Sequence, residues 1–127
     1  MSATRRNILL WGLGAVATAA AAARADITVF EIVLKNRKIE SGARTLRARQ
    51  NDTLVLRWRS DEAVTLHLHG YDVEIAVEPD RAATMTIEAR ATGRFAVEAH
   101  GFGDATGTKT SAGTRHVTLL YLEVHPR

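Results

Sequence analysis

The sequence contains no cysteine, and that absence removes several kinds of chemistry at once. Without thiols the chain has no disulfide, no thiolate nucleophile and no sulfur ligand for an iron–sulfur cluster or a blue-copper centre. Its stability must therefore come from a packed core. The 127 residues, 46% of them hydrophobic, suffice for one globular domain and are too few for two well-buried ones.

Catalytic signatures and a basic surface are missing as well. The sequence has no Gly-x-Ser-x-Gly motif and no phosphate-binding glycine loop. Three of its 17 lysines and arginines, Arg5, Arg6 and Arg24, precede residue 26, and the rest of the chain carries 14 cations and 14 acids. The net charge of +3 thus belongs to the N-terminal segment, and we expect no nucleic-acid partner.

Residues 1–25 have the features of an export signal, and we predict that they form a helix in front of the β-domain. An alanine-rich apolar segment over residues 8–23 is shorter than the roughly 20 residues that cross a bilayer. The small-x-small sequence at residues 23–25 predicts cleavage before Asp26. Residues 4–10 (TRRNILL) resemble a twin-arginine motif, which implies a bacterial periplasmic protein. The alternative is a retained anchor helix, the only membrane contact that we expect.

From Ile27 onward, apolar and polar residues alternate in short segments with the two-residue period of a β-strand. No helical period persists there over three turns. We therefore predict an all-β domain over residues 26–127, an antiparallel Greek-key sandwich or barrel of about seven to eight strands. The eight predicted strands are residues 28–34, 44–49, 53–60, 64–69, 73–77, 83–89, 94–99 and 116–124.

Histidines are the residues most informative about chemistry. His67 and His69 are two apart on one predicted strand, so their rings project from the same face and can ligate one cation. His100 and His116 bracket a fifteen-residue polar loop and come together if their strands are neighbours. The alternative is four scattered surface histidines. The fifth, His125, receives no role.

Several segments resemble the cupredoxins in order and spacing over residues 28–127. Residues 68–73 (LHGYDV) are similar to the first-ligand motif of that family, and residues 93–100 (GRFAVEAH) to the strand leading into its copper loop. Residues 116–119 (HVTL) are similar to the closing His-x-x-Met, and residues 50–53 (QNDT) to a common turn of the family. The resemblance implies a cupredoxin-like fold, with His69 and His116 at ligand positions.

Two departures from the family pattern change the expected chemistry. Ala99 stands where the family has its copper-binding cysteine, and Leu119 where it has the axial methionine. A blue-copper site is therefore excluded. We predict instead that His69, His100 and His116 bind a metal, with His67 as a fourth ligand, and that imidazoles select Cu(II) first and Zn(II) second.

The leading hypothesis is a periplasmic copper-binding domain for carriage, buffering or delivery of metal to another envelope protein, without catalysis. The second is a metal-free envelope interaction module on the same scaffold, using the long loop or a basic stripe formed by Arg47, Arg49, Arg57 and Arg59. A small metal-dependent oxidase or reductase ranks third, because no acid, base or substrate pocket is evident beside the histidines.

Overall fold

The computed structural model describes residues 14–17, 19, 24–103 and 116–127. Within these ranges β-strands are the only regular secondary structure, which confirms the predicted all-β class. The nine strands are β1 (Ile27–Lys35), β2 (Lys38–Ser41), β3 (Thr45–Arg49), β4 (Thr53–Ser60), β5 (Val64–Leu68), β6 (Val73–Val77), β7 (Ala83–Glu88), β8 (Gly93–His100) and β9 (Val117–His125).

The strand that sequence analysis missed is β2. It forms a hairpin with β1, and the two connecting residues, Asn36 and Arg37, have φ angles of 51° and 64°. Two successive positive φ angles are typical of the tight turns that match strand twist. Arg37 is an unusual residue for such a turn, so the sequence carried no strong hairpin signal.

The strands form two sheets that enclose the core. One sheet has the order β2-β1-β4-β7, and the other has the order β3-β9-β8-β5-β6. The predicted antiparallel pairing holds for most neighbouring strands, but β1 runs parallel to β4 and β3 runs parallel to β9. These parallel pairs join strands that are not consecutive in the chain, so strand alternation could not reveal them.

The core lies between the inner faces of the two sheets, as the alternation predicted. Apolar residues at every second position of β4, β5, β7 and β8 are almost fully buried. They include Leu54, Leu56, Trp58, Leu66, Leu68, Met85, Ile87, Val97 and Ala99. Burial of this apolar surface is the dominant stabilising term in a domain without disulfides.

Asp52 ties together the corner between β3 and β4. Its carboxylate accepts a hydrogen bond from the Arg49 backbone N–H at 2.9 Å and one from Asp26 at 3.4 Å, and it pairs with the guanidinium of Arg127. The hydrogen bond from Arg49 is the main cause of a lowered Asp52 pKa, and Arg127 adds to it. Asn51 has a φ of 71°, a left-handed conformation that asparagine adopts more readily than most residues.

Replacing Asp52 with alanine should lower the free energy of unfolding by about 1–3 kcal/mol at pH 7, because the two backbone donors and Arg127 lose their acceptor. The lowered pKa means that this stabilisation is present above the unfolded carboxyl pKa and is lost as pH falls through the folded one. Urea unfolding of both proteins at neutral and strongly acidic pH measures the difference. The exposed Asp80 supplies the control, since D80A should change stability by less than about 0.5 kcal/mol.

The predicted basic stripe does not form. Arg47 and Arg49 lie on β3 in the five-stranded sheet, whereas Arg57 and Arg59 lie on β4 in the other sheet. Arg47 is paired with Glu123 at 3.3 Å and Arg57 with Glu31 at 3.3 Å. The prediction failed because β3 and β4 are consecutive in sequence but belong to different sheets.

Most of the predicted export signal, and residues 104–115 of the predicted polar loop, lie outside the described residues. In the part of the chain that the structure covers, no helix has the length and hydropathy needed to span a bilayer.

Candidate metal centre

The four predicted histidines are brought together on the outer face of the five-stranded sheet. Strands β5 and β8 pair antiparallel, so that His67 lies opposite Glu98 and Thr65 lies opposite His100. Their neighbours along each strand are buried in the core, and His67, Glu98 and His100 therefore project outward. His116 immediately precedes β9, which pairs with β8 on its other side.

The imidazoles form a row, His69–His67–His100–His116. Successive ring centroids are 4.4, 6.0 and 4.2 Å apart. The rings of His100 and His116 are nearly perpendicular, at 84°. Ring contacts thus link the four predicted histidines on one sheet face, but of these four only His100 and His116 belong to a set of ligand atoms within 4.8 Å of one another among the described residues. His125 lies at the far end of β9, where it approaches Glu123 at 3.7 Å.

Glu98 connects the two ends of this row, and sequence analysis missed it. One of its carboxylate oxygens, Oε2, lies 2.8 Å from Nε2 of His69 and 3.4 Å from Nδ1 of His116. Since an ionised carboxylate can only accept, His69 donates the shorter hydrogen bond from Nε2. The available signal was its position two residues before His100 on a strand, which puts both side chains on one face.

The surroundings shift the pKa values of two residues in the cluster, Glu98 and His100. The pKa of Glu98 is lowered, chiefly because His69 donates a hydrogen bond to the carboxylate, while partial burial opposes the shift. The pKa of His100 is lowered, chiefly by burial and then by the positive charge that His116 can carry, with Glu98 opposing. The cluster therefore favours a negative Glu98 beside a neutral His100.

One ring nitrogen of His100, Nε2, is buried without a hydrogen-bond partner among the described residues. Leaving a buried nitrogen unpaired costs about 1–3 kcal/mol, so such atoms are uncommon in folded proteins. On a neutral imidazole this nitrogen can offer its lone pair to a cation.

A compact set of donor atoms is present at the centre of the cluster. Glu98, His100 and His116 each offer one ligand atom, and these atoms lie within 4.8 Å of one another. Donors bound to one ion at about 2.0–2.2 Å are about 3.3–4.4 Å apart, so small rotamer changes would close the set. His69 lies outside this set and contacts it through Glu98.

The positions that correspond to the cupredoxin sulfur ligands face the other way. Ala99 is fully buried and Leu119 nearly so, and both belong to the hydrophobic core. The pairing of β8 with β9 shifts register between Val97 and Glu98, which leaves Leu119 and Leu120 buried in succession. Within the described residues, the donors in the cluster are therefore nitrogen and oxygen atoms on the outer face.

Gly70 fixes the turn that follows His69. Its φ is +84°, and a Cβ atom built there would lie 2.5 Å from the ring of Phe95. That ring packs edge-on against Tyr71, with centroids 4.8 Å apart. The His-Gly-aromatic sequence thus has a local physical reason: only glycine admits both the backbone conformation and the close aromatic contact.

Replacing Gly70 with alanine should lower the free energy of unfolding by about 1–3 kcal/mol, because the residue would be strained at positive φ and would push Phe95 aside. Chemical denaturation measures this change. G42A provides a comparison with a looser contact, since its Cβ would lie 3.2 Å from a backbone oxygen at a similar positive φ. A fully stable G70A would contradict the assigned turn geometry.

Comparison with solved structures shows what kind of fold carries the cluster. A heme-copper terminal oxidase dimer aligns with a TM-score of 0.59 and 17% identity over 79% of this chain and 65% of that one. The periplasmic domain of cytochrome oxidase subunit II (CoxB) of Bradyrhizobium japonicum aligns with a TM-score of 0.51 and 13% identity, covering 81% of this chain and 86% of that one. A multicopper oxidase aligns with a TM-score of 0.50 and 19% identity, covering 79% of this chain and 42% of that one.

These similarities establish the fold, which is a cupredoxin-like β-sandwich and confirms the resemblance seen in the sequence. No protein-family model matches the sequence. The search of curated proteins also finds no match. The chain spans less than two thirds of the length of the first oxidase and less than half of the multicopper oxidase.

Proposed function

We propose that this chain is a periplasmic cupredoxin-like domain that binds copper through its histidine cluster and carries, buffers or delivers it. The observation that supports this function most directly is the convergence of four imidazoles and one carboxylate from three adjacent strands. Imidazoles scattered over a protein surface have no reason to meet in this way.

The residues present fit a divalent ion better than an electron-transfer centre. Imidazole nitrogen and carboxylate oxygen are suitable ligands for Cu(II) and Zn(II). We propose copper because such sites bind Cu(II) more tightly than Zn(II). The buried Nε2 of His100 has no hydrogen-bond partner among the described residues, so its lone pair is available to a metal. Two of the structural neighbours are described as a heme-copper oxidase and a multicopper oxidase, which supports copper as the metal.

Binding rather than catalysis is the task we propose. The cluster lies on a sheet face, and the second histidine–carboxylate contact beside it, between His67 Nε2 and the exposed Asp72 Oδ1 at 3.8 Å, is too long for a hydrogen bond. Bound copper would supply a labile positive centre at the surface, accessible to a second envelope protein. In this respect the site suits transfer of the ion.

The proposal is tested by equilibrium titration of the protein with Cu(II) and Zn(II) in the presence of a competing chelator of known affinity. We expect one tightly bound ion per chain, with Cu(II) bound more tightly than Zn(II). H125A is the matched control, because His125 is an exposed histidine on β9 that lies away from the cluster. It should bind copper as the unchanged protein does.

Weak binding of several ions, reduced equally by H125A and H100A, would show adventitious coordination by surface histidines. That result would overturn the copper-binding proposal and favour a metal-free interaction module on the same scaffold.

A further inference from the structure

The geometry points to a division of roles within the cluster: Glu98, His100 and His116 ligate the metal, and His69 is a positioning residue that holds Glu98 in place. This inference rests on the proposed function and names the donor set of that site. It assigns a carboxylate ligand that the cupredoxin pattern does not contain, and it removes His69 from the ligand set that the resemblance implies.

The first argument is the separation of the donor atoms. Glu98, His100 and His116 form the one group of three potential ligands within 4.8 Å found in the described part of the chain. His69 is not a member of that group, although its ring is close to that of His67 at 4.4 Å.

The second argument is that one ring nitrogen of His69 is already occupied by a hydrogen bond to Glu98. His69 directs Nε2 at Glu98 Oε2, at 2.8 Å, and must carry a proton there because a carboxylate has none to give. A protonated ring nitrogen cannot bind a metal, and neither ring nitrogen of His69 belongs to the compact set of ligand atoms. In metal sites, a hydrogen bond between imidazole and carboxylate orients the ligand and sets its basicity. Here the carboxylate is the ligand and the imidazole is its support.

The third argument concerns His100 and the charge of Glu98. The buried Nε2 of His100 has no hydrogen-bond donor directed at it from the described residues, so its lone pair is available. Glu98 is only 22% exposed, and a partly buried carboxylate beside two ligating imidazoles would offset the charge of a divalent ion. The donor set would then contain two nitrogens and one carboxylate oxygen.

A carboxylate in the donor set has a consequence for the oxidation state. Carboxylate oxygen is a hard ligand that stabilises Cu(II), whereas Cu(I) prefers sulfur donors and is also held by imidazole. Among the residues that the structure describes, the site has no sulfur donor, since Met85 is buried in the core. It should therefore hold Cu(II) more tightly than Cu(I), so that one-electron reduction of bound Cu(II) by a reductant such as ascorbate weakens binding.

The first experiment compares E98Q with the unchanged protein. We expect Cu(II) affinity to fall by more than about 100-fold, because glutamine removes the anionic ligand, while Cu(I) affinity changes by less than about 10-fold. Competition with chelators specific for each oxidation state gives both values. E40Q is the matched control, since Glu40 is an exposed acid on β2, in the other sheet. It should change neither affinity.

The second experiment separates a positioning role from ligation at His69. H69A should lower Cu(II) affinity by about 10–100-fold, as loss of a supporting hydrogen bond does. H69Q should restore most of the loss, because its amide N–H can still donate to Glu98 but cannot replace an imidazole ligand. The number of copper-bound nitrogens, counted by electron paramagnetic resonance, should be the same in H69A as in the unchanged protein.

Loss of one bound nitrogen in H69A, without rescue by H69Q, would overturn the division of roles and return His69 to the ligand set. Equal losses of Cu(I) and Cu(II) affinity in E98Q would also overturn it. In both cases the protein would still bind copper, so these outcomes are distinct from failure of the proposed function.

Discussion

Replacing both His100 and His116 with alanine is expected to lower Cu(II) affinity by more than about 1,000-fold. Loss of a single supporting contact around a metal typically costs 10–100-fold, and here two direct ligands are removed. The two rings are 4.2 Å apart and supply both nitrogens of the compact donor set, whereas the remaining pair, His67 and His69, lies outside that set. Calorimetric or chelator-competition titration measures the loss.

The controls for this variant address folding. Both side chains lie on the outer face of the sheet, and removal of His100 also removes a buried nitrogen without a partner. The double variant should therefore unfold at a denaturant concentration close to that of the unchanged protein in the absence of metal. H125A should keep full affinity. A folded double variant that binds Cu(II) as tightly as H125A would place the metal elsewhere.

The second large effect is the dependence of copper affinity on pH, which we expect to fall by about 100-fold or more between pH 7.5 and pH 5.0. An imidazole binds metal only after losing its proton, and at pH 5.0 a single ligand with the ordinary pKa of about 6.5 costs about 30-fold. Two imidazoles contribute and their effects multiply, although the lowered pKa of His100 makes its share smaller. Titrations at constant ionic strength over this range measure the slope.

The lowered pKa values of His100 and Glu98 set the sign of this dependence. Each group loses its proton at a lower pH than in an unfolded chain, so both are in their metal-binding form at neutral pH. Acid can only add competing protons, and affinity must decrease as pH falls. An affinity that is flat from pH 7.5 to 5.0 would exclude imidazole ligation.

The same shifts make the metal-free protein less stable in acid. For His100 the folded state disfavours the charged ring, so stability is full above the ordinary imidazole pKa of about 6.5 and is lost as pH falls through the lowered folded value. The lowered pKa of Glu98 adds a further loss at lower pH. H100A should therefore show a weaker decline in stability below pH 6.5 than the unchanged protein does.

Local alternation predicted much of the fold because burial has a period of two along any strand with one inward face. Over residues 64–68 the alternation puts His67 on the face opposite Leu66 and Leu68, which the structure shows to be buried. It also placed Leu54, Leu56 and Trp58 inside. These assignments need only the geometry of a single strand, and they do not depend on which strand lies beside it.

Pairing between distant strands could not be read from the same pattern. Consecutive segments β3 and β4 carry similar alternating arginines, yet they belong to different sheets, and the predicted basic stripe is divided between them. Glu98 was overlooked for the same reason. Its importance depends on the pairing that sets it opposite His67 and on the register shift where β8 meets β9.

The sequence by itself determined the all-β class, the alternating faces of the strands, the absence of thiolate ligands and the four histidines to consider as ligands. The tertiary structure alone decided that these rings gather around a carboxylate on an outer sheet face, and which nitrogens remain available to a metal. The physical reason is the separation along the chain of the residues that set each property. Side-chain direction follows from adjacent residues, whereas convergence follows from pairing among β5, β8 and β9, which the burial of their common core selects.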